Sequence, residues 1–217
     1  FVWLFLPGQG YWVGFVLIAA APPGPSIIPF SVLLKGDVDF SVTGVFGGHL
    51  AAFFLSPLIL WLFMGNSALS IELLFAVLIK VIIAPLFISR FLRVKRIYPY
   101  VEKFRGHVVK WGLFLVIVPT VGMSADLLFS QPYIVGITSL IFVMSMFGGG
   151  FIYGRIAGRL GFRPSLQVSS TLMLVIKSSA FSAVMALMFF DEKAALPSGI
   201  LSIFVTSYII VYAFFQK

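Results

Sequence analysis

Charged side chains inside apolar segments are the first residues in this sequence that could do chemistry. Lys177 lies near the middle of an apolar segment at 166–190, beside Ser178 and Ser179. An ionisable group at that depth is costly unless it is paired or hydrated. Because an ammonium group pairs with carboxylates, we interpret these three residues as part of an anion site. The alternative is a structural ion pair with an acid on another helix.

A cluster of prolines is the second such feature. Apolar sequence at 11–34 is interrupted by Pro22, Pro23, Gly24 and Pro25, followed by Ser26. Prolines remove backbone donors and stop helices, so we expect two half-helices on either side of a break. In many transporters the ends of such half-helices face the substrate or a coupling ion. The alternative is a proline kink that packs against a neighbouring helix.

The remaining candidates point to no enzyme. His49 could titrate near neutral pH, but a histidine among glycines is also typical of a hydrogen-bonded packing residue. Glu72 and Lys80 are eight residues apart and share a helix face, and Asp126 is expected near the outer mouth. The sequence has no cysteine, no phosphate loop and no metal-ligand spacing. We therefore predict no catalytic residue, metal or cofactor.

The elements that position these residues must be membrane helices. Apolar residues make up 60% of the chain, charged residues 10%, and the mean hydropathy is +1.10. Long apolar runs favour helices over the alternating strands of a membrane barrel. With the broken segment at 11–34 we predict seven crossings. The other six are 40–63, 67–89, 108–130, 133–154, 166–190 and 197–215.

The basic residues predict how these crossings are oriented. One set of alternating loops, together with the span ends beside them, holds 12 of the 15 lysines and arginines, whereas the other set holds Lys193 alone. Cytoplasmic loops are enriched in such residues, so this distribution places the C-terminus in the cytoplasm of a multi-pass plasma or inner membrane protein. It also accounts for the net charge of +8 without a nucleic-acid partner.

Several short motifs are similar to those of one known family. The run from Pro22 to Ile28, followed by Leu34-Lys35-Gly36-Asp37, resembles the Pro-Gly-Gly stretch, Ser-Asn pair and Lys-Gly-Asp turn of the bile acid:sodium symporter family. The stretch at 79–86 resembles the start of the family's second half. The stretch at 194–197 resembles its turn before the last helix.

The resemblance implies a fold of ten helices in two inverted repeats, with two discontinuous helices that cross in a core domain. On this basis 1–63 ends the first repeat, with a broken core helix at 11–34 and a core helix at 40–63. The second repeat is 64–217, with the other broken or strained core helix at 166–190. The chain would then begin at the end of the third helix, and we expect its natural N-terminus to be missing.

The family's sodium ligands align poorly with this sequence. Without gaps, the Ser-Asn pair falls on Ile27 and Ile28, and the two hydroxyl ligands fall on Ser41 and Val45. The family's glutamate falls on Met173. Its glutamine falls on Lys177 and the neighbouring asparagine on Ser178. Methyl groups and a cation cannot replace hard oxygen donors. Of the positions aligned with the Ser-Asn pair, the two hydroxyls and the glutamate, only Ser41 retains an oxygen.

The prediction is a secondary transporter of a small organic anion, carboxylate-bearing, that uses alternating access without the usual sodium sites. Its partners would be that anion and the lipid bilayer. Proton uptake by Lys177 on anion binding would make it proton-coupled, and a permanently charged Lys177 would make it a uniporter. One alternative is sodium coupling through altered ligands, including backbone carbonyls and Ser26. Another is a degenerate carrier that acts as a membrane sensor or scaffold.

Overall fold

The computed structural model describes residues 9–65, 71–84, 87–88, 91, 94, 97–123 and 129–215. These residues form helices and connecting turns, and the described part of the chain contains no β-strand. The helices are α1 (Gln9–Ala20), α2 (Ile27–Leu33), α3 (Val38–Met64), α4 (Ile71–Leu78), α5 (Tyr98–Met123), α6 (Pro132–Phe142), α7 (Gly149–Arg159), α8 (Pro164–Val175), α9 (Ser179–Phe189) and α10 (Glu192–Phe215). Two π-helical turns, Ile79–Ile83 and Val143–Gly148, extend α4 and join α6 to α7.

Within the described residues, three continuous helices are long and apolar enough to cross a membrane. They are α3, the segment Pro132–Arg159 that runs from α6 through α7, and α10. Each contains a window with a mean hydropathy of 1.8 or 1.9. The predicted all-α membrane protein is confirmed at this level. The crossing count and the inverted repeats stay predictions, and Asp126 lies outside the described residues.

Helix α10 is the centre of the described fold. It packs against α1, α5, α6 and α9. The most apolar window of α10 is 67% buried within the structure. The corresponding window of α3 is only 22% buried, so most of the apolar surface of α3 is exposed. Lipid is the natural solvent for such a surface, because backbone groups within α3 are bonded along the helix and its side chains are apolar.

Both segments predicted to be discontinuous are divided in the structure. The first stops at Ala20 and resumes at Ile27, and the second stops at Val175 and resumes at Ser179. A side-chain cap marks the restart of the second segment, where Ser178 accepts a hydrogen bond from Phe181 N, and Asp37 similarly caps α3. Helix α3 packs on both α2 and α8, so it holds one half of each broken segment.

Candidate functional site

The two breaks lie against each other and form an antiparallel bridge between Pro23 and Lys177. Gly24 N donates to Ile176 O at 3.2 Å, and Ser178 N donates to Pro22 O at 3.0 Å. Inside a membrane, backbone groups freed by a break need partners within the protein. Here each break supplies them to the other, and we call this region the crossing.

The three prolines suit the crossing because they reduce the number of donors that the first break must satisfy. Pro22, Pro23 and Pro25 have no backbone N–H, so within 22–25 only Gly24 has a donor, and that donor is bonded. Gly24 is also closely approached: a Cβ there would lie 3.1 Å from Ile176 Cγ2 and 3.3 Å from Lys177 O. A larger residue would therefore press directly on the second break.

Lys177 lies in the crossing and is half-buried. Its Nζ donates to Ala21 O at 3.2 Å, a carbonyl just beyond the end of α1. No carboxylate of a described residue forms an ion pair with it. Helix α9 begins two residues later, so its N-terminus, the positive end of the helix dipole, lies at the same crossing. Two sources of positive potential therefore meet where the helices are interrupted.

Helix α3 approaches the first break through a glycine. A Cβ on Gly48 would lie 2.5 Å from Pro23 Cγ and 2.6 Å from its Cδ, whereas one on Gly47 would meet nothing within 4 Å. His49 follows, and its Nδ1 lies 2.7 Å from Val45 O on the preceding turn. That contact is local, so the geometry favours the packing interpretation of His49 over a role in the crossing.

A second group of polar residues lies where α2, α3 and α8 meet. Ser31 Oγ and Ser41 Oγ are 2.6 Å apart, and Ser169 Oγ donates to Ser31 Oγ at 3.3 Å. Ser41 and Ser169 also donate to Asp37 O, at 3.0 and 2.9 Å. All three side chains are completely buried. We call Ser31, Ser41 and Ser169 the serine cluster, and it ties one half of each broken helix, α2 and α8, to α3.

The positions aligned with lost sodium ligands are occupied by apolar packing. Ile27 is completely buried and Val45 is buried. Ile28 and Met173 are partly buried and pack on the same core. The end of the Met173 side chain covers Gly44, where a Cβ would lie 2.9 Å from Met173 Cε. Ser41 keeps its hydroxyl, but that hydroxyl is engaged in the serine cluster.

The other predicted serines divide between the crossing and its support. Ser178 caps α9, and its backbone belongs to the crossing. Ser179 accepts from Ser202 Oγ at 2.9 Å, which joins α9 to α10. Ser26 precedes α2, and its side chain makes no capping hydrogen bond. The structure therefore brings Lys177, Ser178 and the proline break together and directs Ser179 toward α10.

Sequence reasoning missed Ser31, Ser169 and the carbonyl of Ala21. Both serines were visible as hydroxyls within apolar runs, but the contacts that Ser169 makes with Ser31 and Asp37 join parts of the chain that are far apart in the sequence. A carbonyl acceptor has no residue signature, so Ala21 could not be found in this way. Lys80, a second lysine deep within a predicted span, is exposed and lies in the first π-helical turn.

A family comparison identifies the type of protein. The model of the Sodium Bile acid symporter family matches residues 1–131, which is more than half of the chain. The chain belongs to this family. The resemblance predicted from the motifs is thereby confirmed, and no curated protein matches the chain. The matched region contains the first break, whereas the second lies beyond it.

Family membership gives the general activity. The Sodium Bile acid symporter family implies a secondary membrane transporter and a transported solute. Its members are transporters and not enzymes, in agreement with the prediction that the chain has no catalytic role. The crossing is thus the candidate transport site of a multi-pass membrane protein.

Proposed function

We propose that this protein carries a small carboxylate-bearing organic anion by alternating access, with Lys177 in place of the usual sodium ions. The observation that supports it most strongly is the position of the Lys177 ammonium group, which reaches across the crossing to Ala21 O at 3.2 Å. The proposed topology has seven crossings and a cytoplasmic C-terminus, on the basis of the apolar runs and the distribution of basic residues. The inverted repeats are what the family resemblance implies.

A carboxylate is the ligand that best suits this charge distribution. Among the described residues Lys177 has a carbonyl partner and no acid, so its charge is available to an incoming anion. The N-terminus of α9 adds positive potential in the same place. An anion bound there would restore neutrality in a region where an isolated charge is costly.

The loss of sodium binding is supported by the packing. Met173 and Val45 present carbon and sulfur where hard oxygen ligands are needed, and Met173 fills the space above Gly44. The serine cluster joins α2, α3 and α8 by hydrogen bonds. These hydrogen bonds and Lys177 hold the broken helices and α3 together in place of a bound sodium ion.

A structural role for Lys177 is the main competing explanation. Lysine side chains commonly bond the last carbonyls of a helix, and Ala21 O lies just beyond α1. Sodium coupling through backbone carbonyls and Ser26 is a second explanation, and a scaffold that binds without transport is a third. Each predicts a different response to substitution and to the ions present.

The test is uptake of radiolabelled carboxylates, from pyruvate to cholate, into proteoliposomes with sodium replaced by choline. Wild-type uptake should be unchanged by the replacement, and Lys177→Met should abolish uptake. Lys177→Gln should restore some dependence on sodium. Lys193→Met, which removes an exposed lysine near the start of α10, is the control and should transport normally.

Three results would contradict parts of this proposal. Strict sodium dependence of the wild type would exclude Lys177 as the replacement charge. Full uptake by Lys177→Met would leave that lysine a structural role only. A folded protein that takes up none of the carboxylates would favour the scaffold. Repeating the assay with an imposed pH gradient separates proton coupling from uniport.

A further inference from the structure

A π-helical turn interrupts the long apolar helix that α6 and α7 form. The turn spans Val143–Gly148, and the N–H of the next residue, Gly149, donates to three carbonyls, those of Met144, Ser145 and Met146. These are the acceptors of a π-helix, an α-helix and a 3₁₀-helix respectively. The hydrogen-bond register of the helix is therefore shared among three patterns at Gly149, and π-helical turns are frequent at functional sites and at kinks.

Two glycines at the end of this turn are not required by packing. A Cβ on Gly148 or on Gly149 would meet nothing within 4 Å. Gly150 differs from them, because a Cβ there would lie 2.5 Å from the Tyr208 hydroxyl and 3.3 Å from Val175 Cγ2. Glycine weakens a helix because its backbone has access to many other conformations. Gly148 and Gly149 therefore supply backbone freedom at the point where the register is already shared, which suits a hinge.

The two sides of the π-helical turn are attached to different helices. Before the turn, α6 packs against α10, where the ring centroids of Phe142 and Phe204 are 6.0 Å apart. After the turn, α7 packs against α8, and Gln167 Nε2 donates to Gly154 O at 2.7 Å. Helix α8 ends at Val175, directly before the crossing. A bend at the turn would therefore carry α7 and α8 together relative to α6 and α10, and would move one side of the crossing.

Space for this movement is present between α8 and α10. An open depression of about 410 Å³ lies there, lined by residues from the first turns of α8 and by Tyr212 near the end of α10. Leu34 and Lys35, in the turn after α2, form another wall. Close packing at this point would hold α8 against α10, whereas an open depression lets the start of α8 approach α10 without compressing core side chains.

We propose that the π-helical turn Val143–Gly148, with Gly149, is a hinge about which α7 and α8 swing relative to α6 and α10 during transport. This inference rests on the alternating access of the proposed function and adds the part of the chain that bends. Gly148 and Gly149 have φ of −65° and −61°, so the structure holds the state in which both are helical. The hinge depends neither on Lys177 nor on which solute is carried.

The experiment measures distances between pairs of spin labels by pulsed electron paramagnetic resonance on the full chain in lipid nanodiscs. The chain has no cysteine, so labels attach only where cysteine is introduced. Residue 156 on α7 and residue 210 on α10 are exposed and belong to different sides of the proposed hinge. The wild type should give two distances for this pair. The pairs 156 with 174 and 140 with 203, each on one side of the hinge, should give one distance each.

Alanine at both glycines tests the hinge without adding a clash. The double variant Gly148→Ala, Gly149→Ala should shift the ratio of the two populations about 5- to 30-fold toward the state with helical backbone, because alanine favours a helix more than glycine does at each position. Gly136→Ala is the matched control, since it adds a methyl group to α6 with nothing within 4 Å and should leave the ratio unchanged. Thermal unfolding of each variant establishes that it is folded.

Uptake of the same series of carboxylates connects the hinge with transport. The double variant should lower the maximal rate of uptake and leave KM unchanged, because the anion site is intact and only the movement is restricted. Unchanged uptake by a double variant whose populations have shifted would overturn the role of the hinge in transport.

The distances decide whether the hinge exists. A single distance for residues 156 and 210 in the wild type would overturn it, as would a ratio that the double variant does not change. Two distances for a pair on one side of the hinge would place the movement elsewhere and overturn it as well. Two distances that respond to the alanines in a protein that takes up none of the carboxylates would support the hinge and contradict the proposed function.

Discussion

The contact between Gly48 and Pro23 gives the sharpest test of how the first break is held. A Cβ at residue 48 would lie 2.5 and 2.6 Å from two atoms of the Pro23 ring, distances at which one partner must move. The ring cannot rotate away, because its backbone is paired with Lys177. Gly48→Ala should therefore displace the break from α3.

Gly47→Ala is the matched control, since it places a methyl group on the same helix with nothing within 4 Å. Both variants gain about 0.5 to 1 kcal/mol from replacing glycine within a helix. Only Gly48→Ala adds an overpacking cost of about 1 to 3 kcal/mol. The difference between the variants should consequently be about 1 to 3 kcal/mol, with Gly48→Ala the less stable.

The assay is reversible unfolding in mixed micelles titrated with dodecyl sulfate, followed by carboxylate uptake into proteoliposomes. Gly47→Ala should be as stable as the wild type or more so, and active. Gly48→Ala should be less stable and lose uptake. Equal stability and uptake for the two variants would show that the Pro23 ring does not hold the break against α3.

The prolines, the serine cluster and the basic loops each give a further test. Replacing the three prolines of the break with alanine should give an inserted protein that no longer transports, and uptake at the original rate would identify the break as a packing kink. Ser169→Ala should lose about 1 kcal/mol of stability, because the hydrogen bonds of Ser169 join separate helices. Ser170→Ala should lose less, because it removes only bonds within α8. Equal effects of the two variants on unfolding in mixed micelles would contradict this. Cysteine at residue 193 should react with an impermeant thiol reagent applied to intact cells and cysteine at residue 159 should not, and the opposite labelling would reverse the proposed topology.

The sequence predicted the helical membrane architecture because lipid imposes strong rules on composition and length. Apolar runs and prolines are local signals, so the limits of α3 and the break near Pro22 could be read directly. The predicted start at residue 108 was later than the observed start of α5 at Tyr98, because that helix continues past its apolar part. Hydropathy detects the membrane-embedded portion of a helix and not its end.

The details of the crossing could not be predicted in the same way. Lys177 and Ser169 both bond backbone carbonyls, of Ala21 and Asp37, that lie beside helix ends more than a hundred residues away, and a carbonyl leaves no trace in residue type. The same holds for Gly48, whose importance depends on the ring that faces it. Sequence identified which residues were unusual for a membrane helix, and the fold determined which of them meet.

A lysine at the crossing has an energetic consequence that a bound ion does not. On the proposed mechanism the Lys177 charge is covalently attached, so it cannot move between the two sides of the membrane as a dissociable ion does. Electrical balance at the site can then be achieved by the lysine, but no energy can be drawn from a sodium gradient. Accumulation of the anion above its equilibrium level would require that Lys177 exchange a proton during each cycle. Proteoliposomes without any ion gradient should therefore equilibrate the anion and never concentrate it. If the wild type accumulates the anion only with an imposed pH gradient, and Lys177→Gln loses this accumulation, Lys177 is the coupling group.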